Sequence, residues 1–425
     1  MKIVKKNILC SIGAILYYLF LKHLYLNYIH KFWDYSGFLY EGRQINPIIS
    51  ILLLLPAILF LSHASKKKEV SYQVVTVLII IGFFPALVMA EFMRTEFFIL
   101  LLVYYYFLMI LTVVIKTIRF KSIKFSGRIV ERLLVCIFTS VTLYIWIRYA
   151  KMHIQTNILD VYGQRALVSS FRYSRIISYI YSMSKLVIPF FIVYELDKKH
   201  YAYSFILWII GFLTFCIDGS KGMLFTIIIG VIAYFVIKKI QDYLWIFPYA
   251  LLLLGGVGIL EYKFMSKLIT ISLFFRRVSF VPAQLNYDYY NYFSIREKDY
   301  FRGSLSLLGE SPYDNISKII GEFNGSGSSC NNGLFSDAYL NFGGIGVIIF
   351  PILIVLLLKC LDGAAYGIKN EVLFILILKF SLSLISSAFF TNILSHGIFI
   401  MIIILYLLKR EKSTVCVKEK ERLTG

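Results

Sequence analysis

The chain has 425 residues, 59% of them hydrophobic and 16% charged, with a formal net charge of +20. Its mean hydropathy of +0.75 excludes a soluble globular domain: apolar segments of about 17–22 residues follow one another, each long enough to cross ~30 Å of hydrocarbon. The basic residues are dispersed between those segments, which excludes a nucleic-acid-binding domain and suits lysines facing anionic lipid headgroups.

In chain order, the hydropathy pattern predicts an all-α polytopic membrane protein with twelve spans near 8–28, 47–63, 71–90, 97–115, 129–149, 176–195, 201–217, 223–237, 244–262, 337–358, 371–390 and 393–408. The first segment has a basic start but no small-residue cleavage site, so it reads as an uncleaved helix, blurred at its far end by Lys22 and His23. The last two spans read as a tight hairpin turning at Thr391-Asn392. With twelve spans, the lysine-rich connections all fall on one side: Lys2 to Lys6, Lys66 to Lys68, Lys116 to Arg132, Lys198-Lys199, Lys238-Lys239 and the tail 409–425. The positive-inside rule makes that side the cytoplasm and puts both termini there.

The opposite face then holds the connections 29–46, 91–96, 150–175, 217–222, 263–336 and 391–392. Ten of the fifteen arginines fall on it: Arg43, Arg94, Arg148, Arg165, Arg172, Arg175, Arg276, Arg277, Arg296 and Arg302. Cations there run against the insertion bias, and arginine is the residue for bidentate recognition of phosphate or carboxylate. The pattern points to an acidic or phosphate-bearing ligand at the outer face. Anchoring to headgroups, or pairing with loop carboxylates, is the competing reading.

Four stretches carry the candidate residues. In the outer loop 150–175, Arg165, Arg172 and Arg175 cluster, and the last two share a face if that part is helical. Asp218-Gly219-Ser220-Lys221-Gly222 lies between two spans, where Ser220 would cap a helix starting near Met223 and Lys221 would add charge to an anion-favouring helix start. The segment 263–336 is the one long polar stretch; its aromatic content reads as a folded lid rather than disorder, with Arg276-Arg277, Arg302 and a flexible Gly-Ser hinge at 325–329. Leading into the next span, Asp337 and Asn341 are four apart on one helix face, beside Tyr339, with Gly343 and Gly346 permitting close packing. Lys185 and Lys379 fall inside spans, where a charge is costly. His396 stands near the start of the last span. The six cysteines form no C-x-x-C pair, and no His pair or D-x-D stands in the outer loops, so neither metal nor cofactor is expected.

These stretches resemble the bacterial O-antigen and capsule repeat-unit polymerases, the Wzy family, distantly related to the O-antigen ligases. Ser220-Lys221-Gly222 is similar to a Ser-Arg-Gly element of that superfamily. Phe275-Arg276-Arg277-Val278, running on to Pro282, resembles the arginine segment that opens the later outer loop. The run from Asn332 through Asp337-Ala338-Tyr339-Leu340-Asn341-Phe342-Gly343 resembles the family's Asp-Ala-Tyr-x-Asn-Phe-Gly stretch and is the most specific. No counterpart of the ligases' loop histidine stands in 263–336. The resemblance implies a GT-C-like membrane glycosyltransferase of the bacterial cytoplasmic membrane. It would join glycan repeat units carried on polyprenyl diphosphate, without a metal, alongside a chain-length regulator and a flippase. Arg276 and Arg277 would neutralise the leaving diphosphate, and Asp337, or else His396, would take the acceptor hydroxyl's proton. Arg165, Arg172, Arg175, Lys221, Arg302, Tyr339 and Asn341 would bind substrate. The alternatives are a glycan ligase, or a flippase or transporter of lipid-linked oligosaccharide.

Overall fold

The computed structural model describes residues 2–93, 96–120, 127–155, 168, 171–240 and 243–408. The protein is all-helical, with no strand among the described residues. Among the described residues, ten helices are long and apolar enough to cross a membrane, the architecture of a polytopic membrane protein. Each coincides with one of the twelve expected segments. The other two segments form helices Phe98–Val114 and Asn370–Ser386 of 17 residues each, about 26 Å long.

The chain divides into two compact units. The first comprises Met1–Lys116, Asp242–Leu358 and Ser381–Thr391, and the second Thr117–Gln241, Lys359–Phe380 and Asn392–Gly425. In the first, the span Val70–Phe92 is wholly buried, its Gln73 and Glu91 side chains included. The helix of the N-terminal segment does not fade at Lys22. It continues through a π-turn at Tyr25–Ile29 and on to Ser36, so the first part of the expected 29–46 connection is helical. Tyr25 explains this: its ring stacks on Phe92 and its hydroxyl donates to the Leu39 carbonyl at 2.6 Å. Lys22 lies 2.5 Å from the buried Glu91 carboxylate, which also accepts from Tyr18 and has Arg43 at 3.8 Å.

The polar segment 263–336 is folded into Ile271–Phe280, Val281–Ser294, Ser306–Leu308 and Ile316–Phe323, burying Phe275, Phe280, Leu285, Tyr289, Phe293 and Ile320. Its Gly-Ser run is not a free hinge. Gly327 N–H and the Ser326 hydroxyl both donate to the Gly321 carbonyl, and Cys330 N–H donates to Ser317. The left-handed φ values of Gly325 and Gly327 turn the run back onto helix Ile316–Phe323.

Helix Phe335–Ala364 is broken at Gly343, whose φ of 58° and ψ of −137° only glycine adopts readily. The break frees carbonyls one turn earlier, and the polar segment takes them: Asp299 N–H donates to Leu340 O at 3.1 Å and Tyr300 N–H to Asn341 O at 3.3 Å. The expected turn at Thr391-Asn392 is displaced. Those residues lie inside a short helix, Phe389–Leu394, and the preceding helix ends at Ser386. The reason is the Asp337 carboxylate, which captures the Phe389 N–H at 2.6 Å and so starts the new helix there.

In the second unit, helices Gly127–Arg148, Arg175–Asp197, Tyr201–Asp218 and Lys221–Ile240 pack together, with Ile145, Tyr181 and Ile217 in one buried cluster. Ile375 fits against Gly230, where an added Cβ would lie 2.3 Å from the Ile375 methyl. Ion pairs Lys198–Glu131 at 2.7 Å and Lys369–Asp197 at 3.1 Å tie its helix ends.

Candidate functional site

In the first unit, the Asp-Ala-Tyr-x-Asn-Phe-Gly stretch is where the polar segment is fastened. Asp337 is 3% exposed. One of its oxygens accepts from Asn341 Nδ2 at 2.9 Å and the other from Phe389 N–H. Asn341 in turn accepts the Phe301 N–H at 2.6 Å through its side-chain oxygen. The chain 299–303 is held by Asp299, also buried, whose carboxylate accepts from Gly303 N–H at 2.9 Å and from the Ser311 hydroxyl at 2.5 Å. Asp337 and Asp299 are near enough for their charges to interact. Sequence reasoning did not single out Asp299, because the residues 340–341 that the chain at 299–301 meets are some forty residues away, beyond any local spacing signal.

Tyr339 is buried between the Phe335 and Tyr290 rings, and Lys298 Nζ stands 4.8 Å over its face. Lys298 also donates to the Phe293 carbonyl and packs against Gly343. Burial pushes its ammonium below the usual lysine range. Arg302, expected to bind substrate, spends its donors locally on the Asp299 and Lys298 carbonyls and on Glu297 at 2.7 Å.

The paired arginines are unequal. Arg276 is half-buried, with its guanidinium 4.8 Å from the Trp33 ring centre and hydrogen bonds to the Ser272 hydroxyl. Burial and the neighbouring Arg277 charge hold its pKa below the usual arginine range. Arg277 is exposed.

Asp288 ties helix Val281–Ser294 to Asn324. Its carboxylate accepts from Gln284 Nε2 at 3.1 Å and from Asn324 Nδ2 at 3.0 Å. Burial outweighs both hydrogen bonds and pushes its pKa up to about 6. Because the folded value lies above the unfolded one of ~3.9, this carboxyl contributes stability that is full below about pH 4 and is lost as pH rises through about 6. The difference amounts to about 3 kcal/mol. Gln284 Oε1 is buried without a partner, so an amide at 288 could donate to it while its oxygen keeps Asn324. Asp288→Asn is therefore expected to raise the thermal midpoint at pH 7.5 and to flatten its change between pH 5 and 7.5. Equal slopes for the two proteins would rule this out.

Asn332 donates to the Pro282 carbonyl, to Asn286 and to Ser336, joining helix Val281–Ser294 of the polar segment to helix Phe335–Ala364. The cavity they line is about 10 Å³, room for a single water and not for a sugar.

In the second unit, Arg165 lies outside the described residues. Arg172 and Arg175 are both exposed, but they do not share a helix face. Ser174 caps the helix by accepting the Ile177 N–H, so Arg175 is its first residue and Arg172 precedes the cap. Lys221 opens the helix Lys221–Ile240, two residues earlier than expected. The corner before it is set by Gly219, at φ 63°, and by Asp218, which accepts the Ser220 N–H at 2.9 Å and pairs with Lys185. His396 sits in the turn between Phe389–Leu394 and Ile398–Leu407, 3.4 Å from Asn392.

Compared with protein-family models, with curated proteins and with solved structures, the chain finds no match.

Proposed function

We propose that this chain is an oligosaccharide repeat-unit polymerase of the bacterial cytoplasmic membrane, with both termini cytoplasmic, acting on glycans carried by polyprenyl diphosphate in the outer leaflet. In the reaction, an acceptor sugar hydroxyl attacks the anomeric carbon of the donor. A new glycosidic bond forms, the bond to the lipid diphosphate breaks, and the hydroxyl proton passes to a base. The leaving group gathers negative charge, which preorganised cations stabilise.

The observation that carries this reading is the docking of the arginine-bearing segment onto the stretch most similar to the polymerases. Gly343 breaks the helix, Asn341 and Leu340 take the chain at 299–301, and Asp337 orients Asn341. An aromatic-rich surface suits sugar rings, and the exposed Arg277 of the same segment suits phosphate. With both its oxygens already engaged, Asp337 is assigned to positioning Asn341 and Phe389 rather than to proton transfer.

A second reading, a transporter or flippase of the same lipid-linked glycan, is favoured by the Lys185–Asp218 pair inside the second unit, since paired charges within spans mark transport pathways. Deleting the gene and resolving the surface glycan on a gel decides between them. A polymerase deletion leaves one repeat per lipid at the surface. A flippase deletion leaves no surface glycan, and an unchanged ladder would sink both readings.

A further inference from the structure

Lys379 belongs to the second unit and has no described role in holding it together. Around it the unit assembles a cluster of charged and polar side chains. Lys185 pairs with Asp218 and lies 5.0 Å from the Tyr181 ring centre. The turn bearing His396 packs onto the same helix, with Gly397 against Met183, two residues from Lys185. Lys379 lies within electrostatic reach of Lys185, Asp218 and His396. It forms no hydrogen bond or ion pair with the described residues. Its neighbours Leu376, Ile377 and Phe380 are buried and apolar.

The depth of the cluster follows from the helices. Lys369 and Asp197 form an ion pair at one end of helices Asn370–Ser386 and Arg175–Asp197. Lys379 is ten residues from that pair and Lys185 twelve, about 15 and 18 Å along their axes. Asp218, which pairs with Lys185, ends helix Tyr201–Asp218, so the cluster stands in the half of a ~30 Å core that lies away from the Lys369–Asp197 pair. Among the described residues, two ammonium groups share one carboxylate there, leaving one positive charge uncompensated where an unpaired charge is costly.

We propose that Lys379 and Lys185 form an anion site that takes the phosphoryl group of a ligand entering the second unit. The proposal does not depend on the polymerase reading, since a transporter of the same lipids would need such a site equally. Lysine ammoniums suit a phosphoryl group, offering compact charge and three rotatable donors each. Asp218 limits the net charge, so that the anion is held without being trapped.

The test uses the full-length protein in nanodiscs of uncharged lipid, with inorganic pyrophosphate, C55 polyprenyl monophosphate and acetate as separate probes. Binding is read by thermal shift and titration. A phosphorylated probe is expected to bind saturably and more tightly than acetate. Preference for polyprenyl monophosphate identifies a lipid source, and preference for pyrophosphate a soluble one. Lys379→Met is expected to weaken that binding at least tenfold, and Lys379→Arg to stay within threefold. Without ligand, Lys379→Met should be at least as stable as the wild type, because it removes an unpaired charge and keeps the volume. Asp218→Asn retains an oxygen for the Ser220 N–H and is expected to tighten binding. Unchanged binding by Lys379→Met, equal affinity for acetate, or destabilisation of ligand-free Lys379→Met would each overturn the proposal. The last would mean that the lysine has a structural partner instead.

Discussion

Arg277→Ala is expected to lower repeat-unit polymerisation by roughly 10²–10³-fold, the loss that follows removal of one preorganised donor to a developing anion, with unchanged abundance in the membrane. The exposed Arg277 carries this effect because its guanidinium can meet a ligand. Arg276 is held by the Trp33 ring and Ser272. Arg276→Ala should therefore cost stability, about 0.5–2 kcal/mol from the lost cation–π contact, and should lower activity mainly through protein level. Arg277→Lys should restore only part of the activity, since a point charge does not reproduce the planar fork. Glycan ladders measured beside membrane abundance for the three variants separate these outcomes. Full activity in Arg277→Lys would reduce the residue to a headgroup anchor, and a normal ladder in Arg277→Ala would remove it from the reaction.

For Asp337 the larger expected effect is on folding. Alanine there would leave the Phe389 N–H without its acceptor in a buried place, at about 1–3 kcal/mol for the unsatisfied group, and would leave the Asn341 amide only the backbone carbonyl of residue 337. The loss would propagate to Asn341, which holds the Phe301 N–H. Asp337→Asn keeps one acceptor but sets an amide against a donor on its other side. Asn341 cannot turn to meet it without giving up Phe301. Both variants should therefore lose thermal stability, alanine more than asparagine, with activity falling in proportion to folded protein. A fully stable Asp337→Asn without activity would instead make Asp337 the base, against the positioning role assigned to it.

The sequence alone determined the apolar helices and most of their ends, because a segment that must cross hydrocarbon has to bury its own backbone hydrogen bonds and so declares itself by length and apolarity. It also marked the stretch 332–343 as special and the polar segment as folded. What it could not determine was how those parts meet. Nothing local shows that the chain at 299–301 takes the carbonyls of 340 and 341, that Asp337 starts a helix at Phe389, or that Asn332 joins Asn286. Those partners are some forty to fifty residues apart, and the first of these contacts forms because Gly343 breaks a helix and frees carbonyls that must be satisfied. The unequal standing of Arg276 and Arg277 was equally invisible, since adjacent residues look alike until Trp33, far earlier in the chain, covers one and not the other. The same holds for the intramembrane lysines: their positions were legible as costly, but only the packed helices gave Lys185 its carboxylate and left Lys379 without one among the described residues.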